Sequence, residues 1–282
     1  MPLTSLHAYD VPAISARPSK RQAINDRLID VIRCFPDGVF RSVLHPGIEL
    51  VDTNRADMEQ TTVGPVGCTR WVSTTDPAWA ELFVPGGTFT QTVTVFALCA
   101  KTGSGTDQTH VFKIGDVSNA HFGVEVPLGH TTVAGNCWTT GTETATTSSF
   151  PALSQNDIFT VAVHRSPFST DTGMLQSYLN GTNEGNYTGY QPNVPATTFD
   201  PKIYIGAIQG SAVEPPIKVA MVAIWHRRVF NWELSMLAAD PYMIFRDPAP
   251  SLEYPLRPIE DVHGCAEITH DSASAEVTTE TC

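Results

Sequence analysis

Basic residues are scarce in this 282-residue chain, with 17 Lys and Arg against 29 Asp and Glu, a formal charge of -12 at pH 7. Phosphate neutralisation needs clustered cations, so nucleic acid is excluded as an expected partner. Nowhere do eighteen consecutive apolar residues occur, and the start, MPLTSLHAYDVPAIS, lacks a cationic stretch followed by an apolar one. Neither a membrane span nor a secretory leader is therefore expected. Cysteines are few and spread out: Cys34, Cys68, Cys99, Cys137, Cys265 and Cys282. They form no Cys-x-x-Cys pair of the kind that marks zinc sites, and read as mostly buried thiols, with a Cys265–Cys282 pairing left open. Without a leader, Asn180-Gly-Thr and Asn186-Tyr-Thr read as turn asparagines rather than glycosylation sites. No Gly-x-Ser-x-Gly elbow, His-Glu-x-x-His or phosphate loop occurs.

What is present is a globular composition, 41% hydrophobic and 16% charged, of a size that all-β sandwiches reach as one domain. Three segments are expected: an N-terminal arm at 1–45, a main domain at 46–247 and an extended tail at 248–282. The arm carries a basic cluster (Arg17, Lys20, Arg21, Arg27, Arg33), read as solvated. Its segment AINDRLIDVIRC, Ala23 to Cys34, has helical spacing, with Leu28, Ile29 and Ile32 on one face. The tail is Pro-rich and then acidic, with Glu260, Asp261, Glu267, Asp271, Glu276 and Glu280 and no Lys or Arg after 260.

The main domain alternates apolar and polar residues. In the segment from Phe89 to Cys99, Val93, Val95, Ala97 and Cys99 share one face while Thr92, Thr94, Phe96 and Leu98 share the other. A strand apolar on both faces belongs near a sheet centre. Further strands are expected at Val111–Ile114, His121–Val126, Ile158–His164, Leu175–Leu179, Lys202–Ile208 and Ile217–Trp225, with Thr139–Ser149 a loop or an exposed edge strand. Pro85-Gly-Gly, Gly103-Ser-Gly and Asn180-Gly supply the turns between them. After Trp225 the period lengthens: Asn231 is placed to cap a short helix, Glu233 complements its dipole and Asp240-Pro241 stops it. Trp232, Met236 and Leu237 (or Leu234) are expected to pack down, the helix lidding one open end of the sandwich.

The block Ile203-Tyr-Ile-Gly-Ala, followed by Val219 through Phe245, resembles the ending of laminin G-like, concanavalin A-like domains. The match lies at Trp225, Arg228, Glu233, Leu237, Pro241, Tyr242 and Phe245, with Phe230 and Asn231 standing where Leu and Ser are usual. Looser similarity at Phe89–Ala100, Asp157–His164 and Leu175–Gly181 extends it over residues 65–247. The resemblance implies an all-β, two-sheet antiparallel jelly-roll sandwich with one short C-terminal helix and extended terminal arms. Trp225, Arg228, Glu233, Leu237, Pro241 and Phe245 would be its fold-defining residues.

Glucanases on this fold present carboxylates along one strand in a Glu-x-Asp-x-x-Glu pattern. Here Glu125 stands alone, reads as a surface group, and no catalytic residue is expected. Sugar sites on this fold are shallow, so Trp138, Tyr187 and Tyr190 are the candidates for stacking on a sugar ring. Calcium is the one metal left open: oxygen donors occur at Thr106-Asp107-Gln108, Asp116, Asn119, Asp171 and Asn180 to Asn183, but form no recognisable calcium loop, and no cofactor is expected. Domains of this type resemble those of phage virion proteins. A non-enzymatic capsid decoration or cement protein is the first expectation, located in the virion, oligomeric with itself and in contact with the major capsid protein or tail proteins. The alternative is a tail or fibre adhesin that binds a surface glycan.

Overall fold

The computed structural model describes residues 12–13, 16–50, 58–63, 66–71, 79–83, 92–101, 109–116, 120–126, 132–139, 142–149, 153–154, 157–167, 173–182, 200–205 and 217–247. The chain divides into two units, Met1–Asp247 and Pro248–Cys282, and the second lies outside the described residues. The first is an all-β, two-sheet sandwich with one α-helix among the described residues. One sheet contains β1 (Leu28–Cys34), β2 (Phe40–Ser42), β3 (Met58–Val63), β4 (Val66–Trp71), β6 (Val93–Lys101), β11 (Ile158–Pro167), β12 (Gly173–Leu179) and β14 (Ile217–Trp225). Its order is β12-β11-β6-β14-β1-β2, with β4 also against β14 and β3 against β4. The other contains β5 (Trp79–Glu81), β7 (Thr109–Asp116), β8 (Ala120–Val126), β9 (Thr132–Thr139), β10 (Thr142–Ser149) and β13 (Lys202–Ile205), in the order β10-β9-β8-β7-β13-β5. Every strand pairing among the described residues is antiparallel.

The first sheet is covered on both faces, and β6 shows why its sequence reads as it does. Val93, Val95, Ala97 and Cys99 join the core between the sheets, with Phe112, Phe122, Ile203 and Phe159. Phe96, Leu98 and Ala100 join a second core on the outer face, with Tyr178, Met221, Trp225, Leu234, Leu237 and Ile244. All nine residues of β6 and all nine of β14 are buried. Each fully buried large apolar side chain contributes about 1.5–3 kcal/mol, so the outer core is a second source of stability. The Thr-rich segment is strand β10, the outermost of its sheet, where polar residues cost little. Cys34 and Cys99 are buried thiols; Cys265 and Cys282 lie outside the described residues.

Three expectations are corrected. Leu28–Cys34 is a strand between β14 and β2, not a helix. Six of its seven residues are buried, because both faces meet core, and burial on both faces erases the alternation that marks a strand. With β2, it brings residues assigned to the 1–45 arm into the sheet. Arg33 is correspondingly not a solvated cation: its guanidinium donates to Ala13 O (3.0 Å) and Pro12 O (3.3 Å) and lies 5.0 Å from the Phe245 ring centre, a cation–π contact. Lastly, helix α1 (Asn231–Ala239) covers the outer face of the first sheet rather than an open end, through Leu234, Leu237 and Ala238. Trp232 and Met236 point outward, 61% and 45% exposed.

Candidate functional site

The strand β14 delivers Trp225 into the outer core, where its indole N–H donates to Ile24 O at 2.7 Å. The next residues turn back over the chain from β1. His226 N donates to Arg27 O at 2.9 Å, which holds Arg27 in the left-handed region at φ 54°. Arg227 then uses all five of its N–H donors. Nε binds Asp26 O (2.8 Å), one terminal nitrogen binds Arg228 O and Glu233 Oε2 (both 2.8 Å), and the other binds Ile24 O (2.9 Å) and Glu233 Oε1 (2.7 Å). Glu233 Oε2 also accepts from Phe230 N at 2.7 Å. Phe230, not Asn231, is therefore the N-cap position of α1, and the orphan N–H at this helix start is satisfied from Glu233.

Around this saturated pair lies an open cleft of about 420 Å³, lined by Ala23, Asp26, Arg27, Arg227, Arg228, Phe230 and Glu233. Three arginines against two carboxylates leave one positive charge in excess, in a chain whose formal charge is -12. Among the described residues, the exposed Arg27 guanidinium and Asp26 carboxylate have no hydrogen-bonded side-chain partner. Phe230 is 51% exposed and presents an aromatic ring at the rim. The lining thus offers a cation, an acceptor and an apolar ring without internal satisfaction.

Beneath Arg228 runs a polar row on the outer face, Gln176, His164 and Thr94 on adjacent strands. Thr94 donates its hydroxyl proton to Arg227 O (2.8 Å) and accepts from Val229 N (3.0 Å). The 3.1 Å contact with His164 Nδ1 therefore has the imidazole as donor, which leaves Nε2 as the unprotonated nitrogen. His164 is fully buried, and burial together with the Arg228 charge depresses its pKa to about 3, against a weak opposing contact with the Val93 backbone. Burial raises the Tyr178 pKa, opposed by Arg228.

Two other polar groupings stand apart from the cleft lining. Ser42 Oγ donates to Asp30 at 2.6 Å, and His45 Nε2 faces Ile29 O at 3.3 Å. The serine hydroxyl is directed at the Asp30 carboxyl and the imidazole at a backbone carbonyl, so the three do not form a serine–histidine pair. Burial raises the Asp30 pKa, with Ser42, the Val31 N–H and His45 pulling the other way. Glu125 is not a surface group: its side chain is 14% exposed and lies 3.4 Å from His110 Nδ1.

Of the aromatic candidates, Trp138 is on β9, in register with Glu143 of β10 and His121 of β8; Tyr187 and Tyr190 lie outside the described residues. Among the calcium candidates, Asn180 is a turn residue at φ 48°, its Oδ1 accepting from Thr160 N at 2.9 Å. Asp116 closes β7, and the remaining oxygen donors apart from Gly181 and Thr182 lie outside the described residues. No group of three metal-ligating side chains occurs among the described residues. Arg228, Glu233, Leu237, Pro241 and Phe245 all lie in or beside the outer core, Glu233 and Leu237 buried. Sequence reasoning missed Asp26, Arg27 and the exposed Phe230. The available signal was the Arg227-Arg228 pair two residues after a buried tryptophan, with Phe230 where an aliphatic residue is usual.

No protein-family model and no curated protein sequence matches the chain. Solved structures do share its fold. A Trypanosoma rangeli sialidase in complex with sialic acid aligns with a TM-score of 0.54 at 15% identity, over 78% of this chain and 34% of that one. The binding domain of botulinum neurotoxin DC in complex with SialylT aligns at 0.57 and 9% identity, over 77% and 52%. A structure describing type C neurotoxin entry as dependent on two ganglioside molecules aligns at 0.57 and 10%, over 76% and 51%. The chain thus spans about a third of the sialidase and half of the toxin domains. At these identities the likeness establishes the β-sandwich fold alone.

Proposed function

We propose that this chain is a non-enzymatic carbohydrate-binding module. The observation that carries the reading is the cleft beside α1, open, mixed in polarity and rimmed by an exposed aromatic ring, a combination suited to a sugar's hydroxyls and its apolar ring face. The fold supports it, since the similar structures include sandwiches described with sialic acid and gangliosides. The neighbouring polar residues act structurally: Arg227 and Glu233 spend their hydrogen bonds on each other and on backbone, leaving contact with a ligand to Asp26, Arg27, Arg228 and Phe230. Capsid decoration through contacts of the sandwich and its terminal arms, 1–45 and 248–282, rests on fold resemblance, and residues 1–11 and 248–282 of those arms lie outside the described residues, so it ranks second. A tail or fibre location accords with the glycan reading. The test is a glycan array probed with the full chain: saturable binding to a defined set of glycans supports the proposal, and no binding above background to any glycan refutes it.

A further inference from the structure

We infer that the cleft takes a carboxylate-bearing pyranose, an acidic sugar, with its carboxylate on Arg27 and the Arg228 charge beside it. The inference rests on the carbohydrate reading and adds to it the chemical class and the place. Three features of the lining each match one part of such a sugar. Arg27 is exposed, its main chain fixed by a carbonyl that accepts from His226 N at 2.9 Å, and its side chain has no hydrogen-bonded partner among the described residues. Arg228 lines the same cleft half-buried, its Nε enclosed and its guanidinium hydrogen-bonded to the Tyr178 hydroxyl, so it adds positive charge beside Arg27. A planar guanidinium binds a carboxylate through paired N–H donors. Asp26 supplies an acceptor, which suits sugar hydroxyls and disfavours polyanions such as sulfated chains or phosphates. Phe230, 51% exposed, offers a ring face for the C–H side of a pyranose. A neutral sugar would leave the excess positive charge unused, and an anion without hydroxyls would leave Asp26 repelling it.

The cleft volume, about 420 Å³, falls at the lower end of the usual range for small-ligand sites, roughly 300–1,000 Å³. It therefore suits one terminal residue of a glycan rather than a long chain.

The experiment is isothermal titration of the full chain with three probes: the α-methyl glycoside of N-acetylneuraminic acid, its methyl ester, and methyl β-galactoside. The acid is expected to bind at least roughly tenfold more tightly than the ester, the size of one lost charge-assisted hydrogen bond. Arg27→Ala should weaken the acid by a similar factor and leave the ester unchanged, while Phe230→Ala should weaken both. Thermal unfolding of each variant establishes that the fold is retained, and Arg27→Lys should recover part of the affinity if charge is what matters. Equal affinity for acid and ester, or an Arg27→Ala loss shared equally by both, would overturn the acidic-sugar assignment while leaving carbohydrate binding intact. Failure of all three probes, alongside binding of neutral glycans on an array, would do the same; no binding of any glycan would overturn the carbohydrate reading itself.

Discussion

Lowering the pH should destabilise this sandwich through one buried imidazole. His164 is fully buried and has a pKa of about 3 in the folded chain, against 6.5 when unperturbed. Its Nδ1–H is committed to Thr94 Oγ1, itself committed to Arg227 O and Val229 N. Because the folded pKa is the lower one, the stabilising difference is complete above the unfolded value and is lost as pH falls from 6.5 toward 3. At pH 5 the unfolded imidazole is almost fully protonated and the folded one is neutral, a difference of about 2 kcal/mol relative to pH 7. His164→Asn keeps a donor near the Nδ1 position and removes the titration. The variant should lose roughly 1–3 kcal/mol at pH 7 from the altered packing, and its deficit against the parent should shrink by about 2 kcal/mol at pH 5. Urea unfolding of both proteins at the two pH values measures this directly. An equal deficit at pH 7 and pH 5 would refute the assignment of the acid sensitivity to His164.

Other perturbations give sharp outcomes. Gly181 sits at φ 75°, and a Cβ there would lie 2.6 Å from Ser235 Cα and 2.8 Å from Leu234 O. Gly181→Ala should therefore cost about 2–4 kcal/mol in urea unfolding, by strain at positive φ and displacement of α1; a change under about 0.5 kcal/mol, the range of neutral surface substitutions, would contradict that packing. Glu233→Ala should cost about 3 kcal/mol, because it strips partners from the largely buried Arg227 guanidinium, and a change in midpoint smaller than that of an exposed substitution would argue against the ion pair. Asp30→Asn should raise the melting temperature at pH 7 but not at pH 4. The folded pKa of Asp30 lies above its ordinary 3.8, so the parent loses stability as pH rises through that value and the amide does not. Equal shifts at both pH values would contradict a buried, perturbed carboxylate.

Much of the scaffold was legible in sequence for identifiable reasons. β11 and β12 emerged from their apolar patterning and turns, and β6 from two apolar faces within one short run; the Asn180-Gly181 turn has the positive φ at both residues that this pair favours. β1 was misread because Ile29, Val31, Ile32 and Cys34 supply both cores at once, and a strand buried on both sides has no period of two to detect. The orientation of α1 was misread because the helix has two apolar faces. Trp232 and Met236 are four residues apart on one, while Leu234, Leu237 and Ala238 form the other, and periodicity does not say which face meets the sheet. The candidate site was illegible for a different reason: Asp26 and Arg27 come from the start of the chain and Arg228 and Phe230 from the far end of the domain, brought together by the β1–β14 pairing, Leu28 opposite Trp225.

The outer core fixes α1 through Leu234 and Leu237, the saturated Arg227–Glu233 pair fixes the helix start, and the cleft is what remains between that start and the chain entering β1. Rigid support of this kind lowers the ordering cost of binding, as the proposed sugar site would need. The most direct test is a crystal structure of the full chain soaked with a glycan found to bind on an array. Sugar density in the cleft, with its ring against Phe230 and a polar group on Arg27, is the expected result; density confined to another surface, or none at a saturating concentration, would contradict it.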